Sequence, residues 1–129
     1  MSSRIKYYTF IPALILAAGI LVTSLLEADR MIATSLADKT LHIWAYGLLA
    51  LTLLFPLVLL YKHHWRQYLL TWGVCCVYGA FIEMLQSCCT DTRVGEWLDI
   101  VANSIGTTIG LIIFFCIYYL WSRLHTNTK

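Results

Sequence analysis

Charged residues are scarce in this chain: Asp, Glu, Lys and Arg together make 12% of its 129 residues. Soluble globular domains carry about 25%, so that class is excluded at the outset. Proline occurs twice in the whole sequence. No repeat, low-complexity tract or polar linker breaks it into parts. The formal net charge of +2 is too small to point to a nucleic-acid partner. A nucleophile elbow, an H-E-x-x-H metal motif and a phosphate-binding glycine loop are all missing.

What the chain has in quantity is apolar surface, with 60% hydrophobic residues. Four runs, about 7–26, 41–61, 68–86 and 97–121, each approach the roughly 20 residues needed to cross a bilayer. In lipid a backbone must satisfy its own hydrogen bonds, and four such runs cannot close a barrel, so helices are expected. The expected fold is all-α: a single four-helix transmembrane domain spanning 1–129. The first run is longer than the apolar core of a signal peptide and reads as a signal anchor.

Basic residues set the expected orientation. Arg4, Lys6, Lys62, Arg66, Arg123 and Lys129 fall on one side, and Arg30, Lys39 and Arg93 on the other. The positive-inside rule then places both termini and the "YKHHWRQ" loop in the cytoplasm. His63 and His64 in that loop point in different directions and have no third ligand nearby, so they read as solvated residues. Cys75, Cys76 and Cys116 fall within spans and count as small apolar side chains. Cys88 and Cys89 are expected in the outer loop, where adjacent cysteines bridge each other poorly. A structural or incidental role is expected for them.

The polar residues inside the spans carry the chemistry. "DKTLHIWAY" puts Asp38, His42 and Tyr46 on one face of the second helix at i, i+4 spacing. "YGAFIEMLQ" puts Glu83 and Gln86 near the outer end of the third. "EWLDIVANSIGTTIG" aligns Asp99, Asn103, Gly106 and Gly110 along the fourth. At a rise of 1.5 Å per residue, Glu83 sits about 5 Å and Asn103 about 9 Å inside the outer boundary. No matching cluster is expected at the cytoplasmic end. Buried carboxylates at such depth are expected to face each other, bases or a water-filled pocket rather than lipid. The small-xxx-small glycines suit close helix packing, either within the chain or as the seam of a homodimer through the Gly106/Gly110 face.

These three blocks resemble the VanZ-like family of small bacterial membrane proteins. The family pattern is D-K-x-x-H-x-x-x-Y, then Y-G-x-x-x-E-x-x-Q, then R and D-x-x-x-N-x-x-G-x-x-x-G. It is filled here by Asp38, Lys39, His42 and Tyr46, by Tyr78, Gly79, Glu83 and Gln86, and by Arg93, Asp99, Asn103, Gly106 and Gly110. Two positions depart from it: Ile43 follows His42 where an aromatic is common, and Glu96 replaces a small or hydroxyl residue. The family's named member lowers sensitivity to teicoplanin, which implies a multi-pass protein of the bacterial inner membrane and a phenotype of glycopeptide tolerance.

Three functional readings follow. In the first, the cluster is a structural lock, with Asp38 capping its helix and Asp99 favouring a helix N-terminus. That reading leaves Glu83, near a helix C-terminus, without an explanation. In the second, an outer-leaflet pocket binds a lipid or lipid-linked cell-wall precursor. Lys39 and Arg93 would meet phosphate, and Asp38, His42, Tyr46, Tyr78, Glu83, Gln86, Asp99 and Asn103 would line the site, with Gly79, Gly106 and Gly110 packing the helices. In the third, His42 with Glu83 or Asp99 performs acid–base or metal-assisted catalysis on an envelope lipid. No metal or other cofactor is expected under the second reading. Transport is disfavoured, since Pro56 alone makes no polar path through the inner half.

Overall fold

The structure, a computed structural model, describes residues 7–26, 35–61, 63–89 and 97–126. Among these residues there are four α-helices and no strand: α1 (Ile11–Leu25), α2 (Ser35–Tyr61), α3 (Trp65–Cys89) and α4 (Trp97–Thr126). The most extensive packing is between α2 and α4. Helix α3 lies against both, and α1 leans on α2 and α3.

Three stretches, Ala37–Tyr61, Trp65–Cys88 and Trp97–His125, are long and apolar enough to cross a membrane. Helix α1 is shorter. Its 15 residues rise about 22 Å against a hydrocarbon core of about 30 Å. The apolar run does begin at Tyr7, and Tyr7 and Tyr8 are helical, but Phe10 N–H donates to the Tyr7 carbonyl (3.1 Å) in a turn that separates them from α1, which opens at Ile11. Pro12, which has no N–H to donate, sits in the first turn, where none is needed. The other helices run past the apolar stretches that announced them. Asp38 and Asp99 lie in first turns, and Arg123 and His125 in a last turn. Each charge there complements the helix dipole, so the helix continues through residues that a hydropathy reading assigns to loops.

The burial pattern is that of a protein solvated by lipid. Trp44, Val77 and Ile117 are each more than 60% exposed, whereas His42, Gln67, Thr71, Glu83, Gln86, Asp99, Asn103 and Thr107 are buried. Apolar side chains on the outside remain against hydrocarbon, and polar ones find partners only inside. A small apolar core of Ile20, Tyr46, Leu49, Ala50, Leu54, Cys75, Ile82 and Leu111 fills the remaining interior.

The α2–α4 seam depends on glycine. A Cβ built on Gly106 would run into the backbone of Ile43, and one on Gly110 into the backbone of Gly47. Gly47 in turn faces the Gly106 carbonyl, 3.2 Å from where its own Cβ would stand. The Gly106/Gly110 stripe is therefore packed on α2 of the same chain. Pro56 is buried within α2 and does not end it. Beside it, the Gln67 amide crosses from α3 to donate to the Leu57 carbonyl (3.1 Å).

Near the short connection between α2 and α3, His63 is not simply solvated. Its ring stacks on Tyr118 with centroids 4.0 Å apart, and Nε2 lies 2.7 Å from the Tyr68 hydroxyl. Helix α3 also extends to Cys89, so Cys88 occupies its last turn as an exposed free thiol rather than a loop residue.

Candidate functional site

The antiparallel order of α2, α3 and α4 brings the start of α2, the end of α3 and the start of α4 to one end of the bundle. Each contributes polar residues one turn apart: Asp38, His42 and Tyr46 from α2; Gly79, Glu83 and Gln86 from α3; Asp99 and Asn103 from α4. The side chains of His42, Tyr46, Glu83, Gln86, Asp99 and Asn103 are all buried. Glycine packing at Gly106 and Gly110 draws α4 close enough to α2 for short side chains to meet across the seam.

Two links join α2 to α4 at this level. His42 Nδ1 lies 2.9 Å from Asn103 Oδ1, both residues being buried. With the amide oxygen accepting, Nδ1 carries the proton in this bond. Lys39 Nζ stands 3.9 Å from Asp99 Oδ1, a contact that places one positive charge beside a carboxylate already buried. A carboxylate oxygen from each of Asp38 and Asp99 and a ring nitrogen of His42 all lie within 4.8 Å of one another.

One turn further in, Glu83 faces the interior from α3. Tyr46, fully buried, is within electrostatic range of Glu83 and Tyr78. Its ring lies 6.5 Å from that of His42 and 6.3 Å from that of Tyr78. Gly79 makes room here: a Cβ on it would come within 2.9 Å of Asn103 Nδ2 and 3.3 Å of the Tyr46 ring.

Two residues expected to face a ligand are turned to another use. The Tyr78 hydroxyl donates to the Ala17 carbonyl of α1. The Gln86 amide donates to the Ser24 carbonyl (2.9 Å), in the last turn of α1, where a helix leaves carbonyls without internal partners. Both therefore tie α1 to α3. Arg93 and Glu96 lie outside the described residues. Of the trio His42, Glu83 and Asp99 considered for acid–base or metal chemistry, the structure brings His42 and Asp99 together with Asp38 in place of Glu83.

The buried polar stripe also runs deeper than the spans suggested. On α3, Glu83, Gly79, Cys75, Thr71 and Gln67 follow one another at four-residue spacing, and on α4 Thr107 continues the line of Asp99 and Asn103; all are buried. Among the described residues, Tyr46 Oη, Thr71 Oγ and Asn103 Nδ2 have no hydrogen-bond partner. Such groups cost about 1–3 kcal/mol each unless water reaches them. The i+4 spacing carried this signal, though a threonine within an apolar helix is easily passed over.

Two grooves mark the outer surface. One of about 620 Å³ runs along α3, lined by Leu69, Leu70, Gly73, Val74, Val77, Tyr78 and Phe81. The other lies on α4 between Ile100 and Ile109. The first is apolar and leads toward the end of α3 that bears Glu83 and Gln86.

No curated protein and no solved structure matches the chain. A family model described as VanZ/LLP1 does match, over residues 6–120, a stretch that contains all three helix ends and the three glycines of the seam. With its membrane-spanning helices and its polar cluster in the positions of the family pattern, this chain belongs to the VanZ/LLP1 family of membrane proteins.

Proposed function

We propose that the chain is a multi-pass protein of the bacterial inner membrane, both termini cytoplasmic, that binds an anionic envelope amphiphile at its polar end. The ligand class is a lipid or a lipid-linked cell-wall precursor. The observation that carries this reading is the convergence of Lys39, His42, Glu83, Asp99 and Asn103 from three helices whose outer faces are apolar. Lys39 supplies positive charge for a phosphate, and Arg93, between α3 and α4 in the sequence, is a candidate second cation. Glu83, Asp99 and Asn103 supply acceptors and an amide for sugar or peptide groups. The apolar groove along α3 offers a place for an acyl chain whose head group lies at this end. Sequestering a precursor in this way would change access of a glycopeptide to its target, and tolerance to teicoplanin is the corresponding phenotype.

The test is native mass spectrometry of the protein extracted gently from its own membranes, beside Glu83→Gln and Asp99→Asn. A specific lipid retained by the wild type and lost from folded variants supports the binding reading. Equal, nonspecific lipid on all three overturns it.

A second reading, a polar lock between helices, is favoured by the two internal links His42–Asn103 and Lys39–Asp99. It predicts that the same substitutions lower thermal stability in proportion to any loss of phenotype. A binding site predicts loss of phenotype from a protein that melts as before.

A further inference from the structure

The outermost part of the cluster has the composition of a metal centre. Asp38 and His42 are one turn apart on α2, and Asp99 reaches them from the first turn of α4. One ligand atom from each, two carboxylate oxygens and an imidazole nitrogen, lie within 4.8 Å of one another. We propose that Asp38, His42 and Asp99 bind a single divalent cation of the zinc class, with the fourth coordination position open to water or to a phosphate oxygen.

Three features support this beyond the grouping itself. First, His42 is only 8% exposed, so a cation held by its ring would be largely shielded from water. Second, Nδ1 is held by Asn103 Oδ1 at 2.9 Å. An outer-shell acceptor on one nitrogen is the arrangement that orients a metal-binding histidine and fixes its tautomer. Third, one histidine with two carboxylates suits a borderline cation, and three protein ligands with an open position is the pattern of zinc sites that take up a further ligand.

The geometry is close to what binding requires. Around a tetrahedral ion with bonds of about 2.0–2.1 Å, ligand atoms stand roughly 3.4 Å apart. Drawing the three groups together therefore takes about 1 Å of movement, within the reach of rotation at the half-buried Asp38. The local charges also fit. Lys39, 3.9 Å from Asp99, acts as an internal counter-ion; the cation would displace it and leave the ammonium free to meet the anion that fills the open position. The inference is independent of the amphiphile reading, because its test contains no lipid ligand.

The experiment titrates Zn2+, and separately Co2+, into the full-length protein in detergent, followed by calorimetry, absorption and thermal unfolding. The expected result is one equivalent bound, a four-coordinate Co2+ spectrum with no thiolate band, and a rise in Tm with added Zn2+. Asn103→Ala should weaken binding about 10–100-fold; Asp38→Asn, His42→Gln and Asp99→Asn should each weaken it further. Lys39→Met should tighten it at least about tenfold, since a like charge about 5 Å from a divalent ion is removed. That gain cannot come from a misfolded protein, so it stands even if a ligand variant is unstable. Absence of saturable binding by the wild type, a thiolate band, or an equivalent of metal retained by all three ligand variants would overturn the proposal.

Discussion

His42 and Asn103 meet across the α2–α4 seam with Nδ1 and Oδ1 2.9 Å apart, both residues almost wholly removed from the surface. The pair joins the first exposed turn of the cluster to its buried part. Removing the acceptor in Asn103→Ala leaves the His42 N–H unsatisfied and opens space beside Gly79. A loss of about 1–3 kcal/mol is expected, read as a lower Tm in detergent. Unchanged melting would mean that water replaces the amide.

The glycine seam makes a prediction with an internal control. Gly106→Ala and Gly110→Ala each place a methyl against backbone of α2, which cannot swing aside as a side chain would. Separation of the helices and a clear fall in Tm are expected. Gly19 and Gly73 have nothing within 4 Å of a built Cβ. Alanine there should be neutral or stabilising by roughly 0.5–1 kcal/mol through helix propensity.

His63 predicts a pH dependence at the opposite end of the molecule. Burial first, and the neighbouring His64 second, lower its pKa below the usual 6.5. A histidine whose folded pKa is depressed contributes stability that is present above the unfolded value and is lost as pH falls below it. Thermal stability should therefore fall as pH drops from neutrality through the region under 6.5. His63→Phe, which keeps the stack on Tyr118, should flatten this dependence.

Thiol labelling tests the orientation proposed above. Cys88 is exposed in the last turn of α3, whereas Cys75 is buried in the core. A membrane-impermeant maleimide added to the outside of intact spheroplasts is expected to modify Cys88 and to leave Cys75 untouched. Modification of Cys88 only after lysis would invert the topology. Cys116, although exposed, sits within a spanning helix, where a membrane-impermeant reagent is not expected to reach it.

Much of this site was legible in the sequence, because four-residue spacing on a helix is a statement about faces. Asp38, His42 and Tyr46, and likewise Asp99 and Asn103, do share faces and do meet. Which carboxylate joins His42 was not legible. Spacing on separate helices fixes neither their depth nor their rotation relative to one another. Those are set by backbone contacts such as Gly106 on Ile43, and they bring Asp38 to the imidazole while Glu83 lies beside Tyr46.

Tyr78 and Gln86 were hidden for a different reason. Their acceptors are main-chain carbonyls, which every residue has and no residue type advertises. Thr71 and Thr107 were overlooked because threonine in an apolar helix usually bonds its own backbone one turn back; here neither does.

The attachment of α1 through the carbonyls of Ala17 and Ser24 has a consequence for how the molecule can be altered. A grip on main-chain oxygens reads the position of a helix and not its lettering. At these two bonds α1 is held by position alone: an apolar segment of equal length that kept the buried Ala13, Ile20 and Ser24 would still present two oxygens to Tyr78 and Gln86. The other helices, joined through glycines and side-chain amides, would tolerate no such exchange.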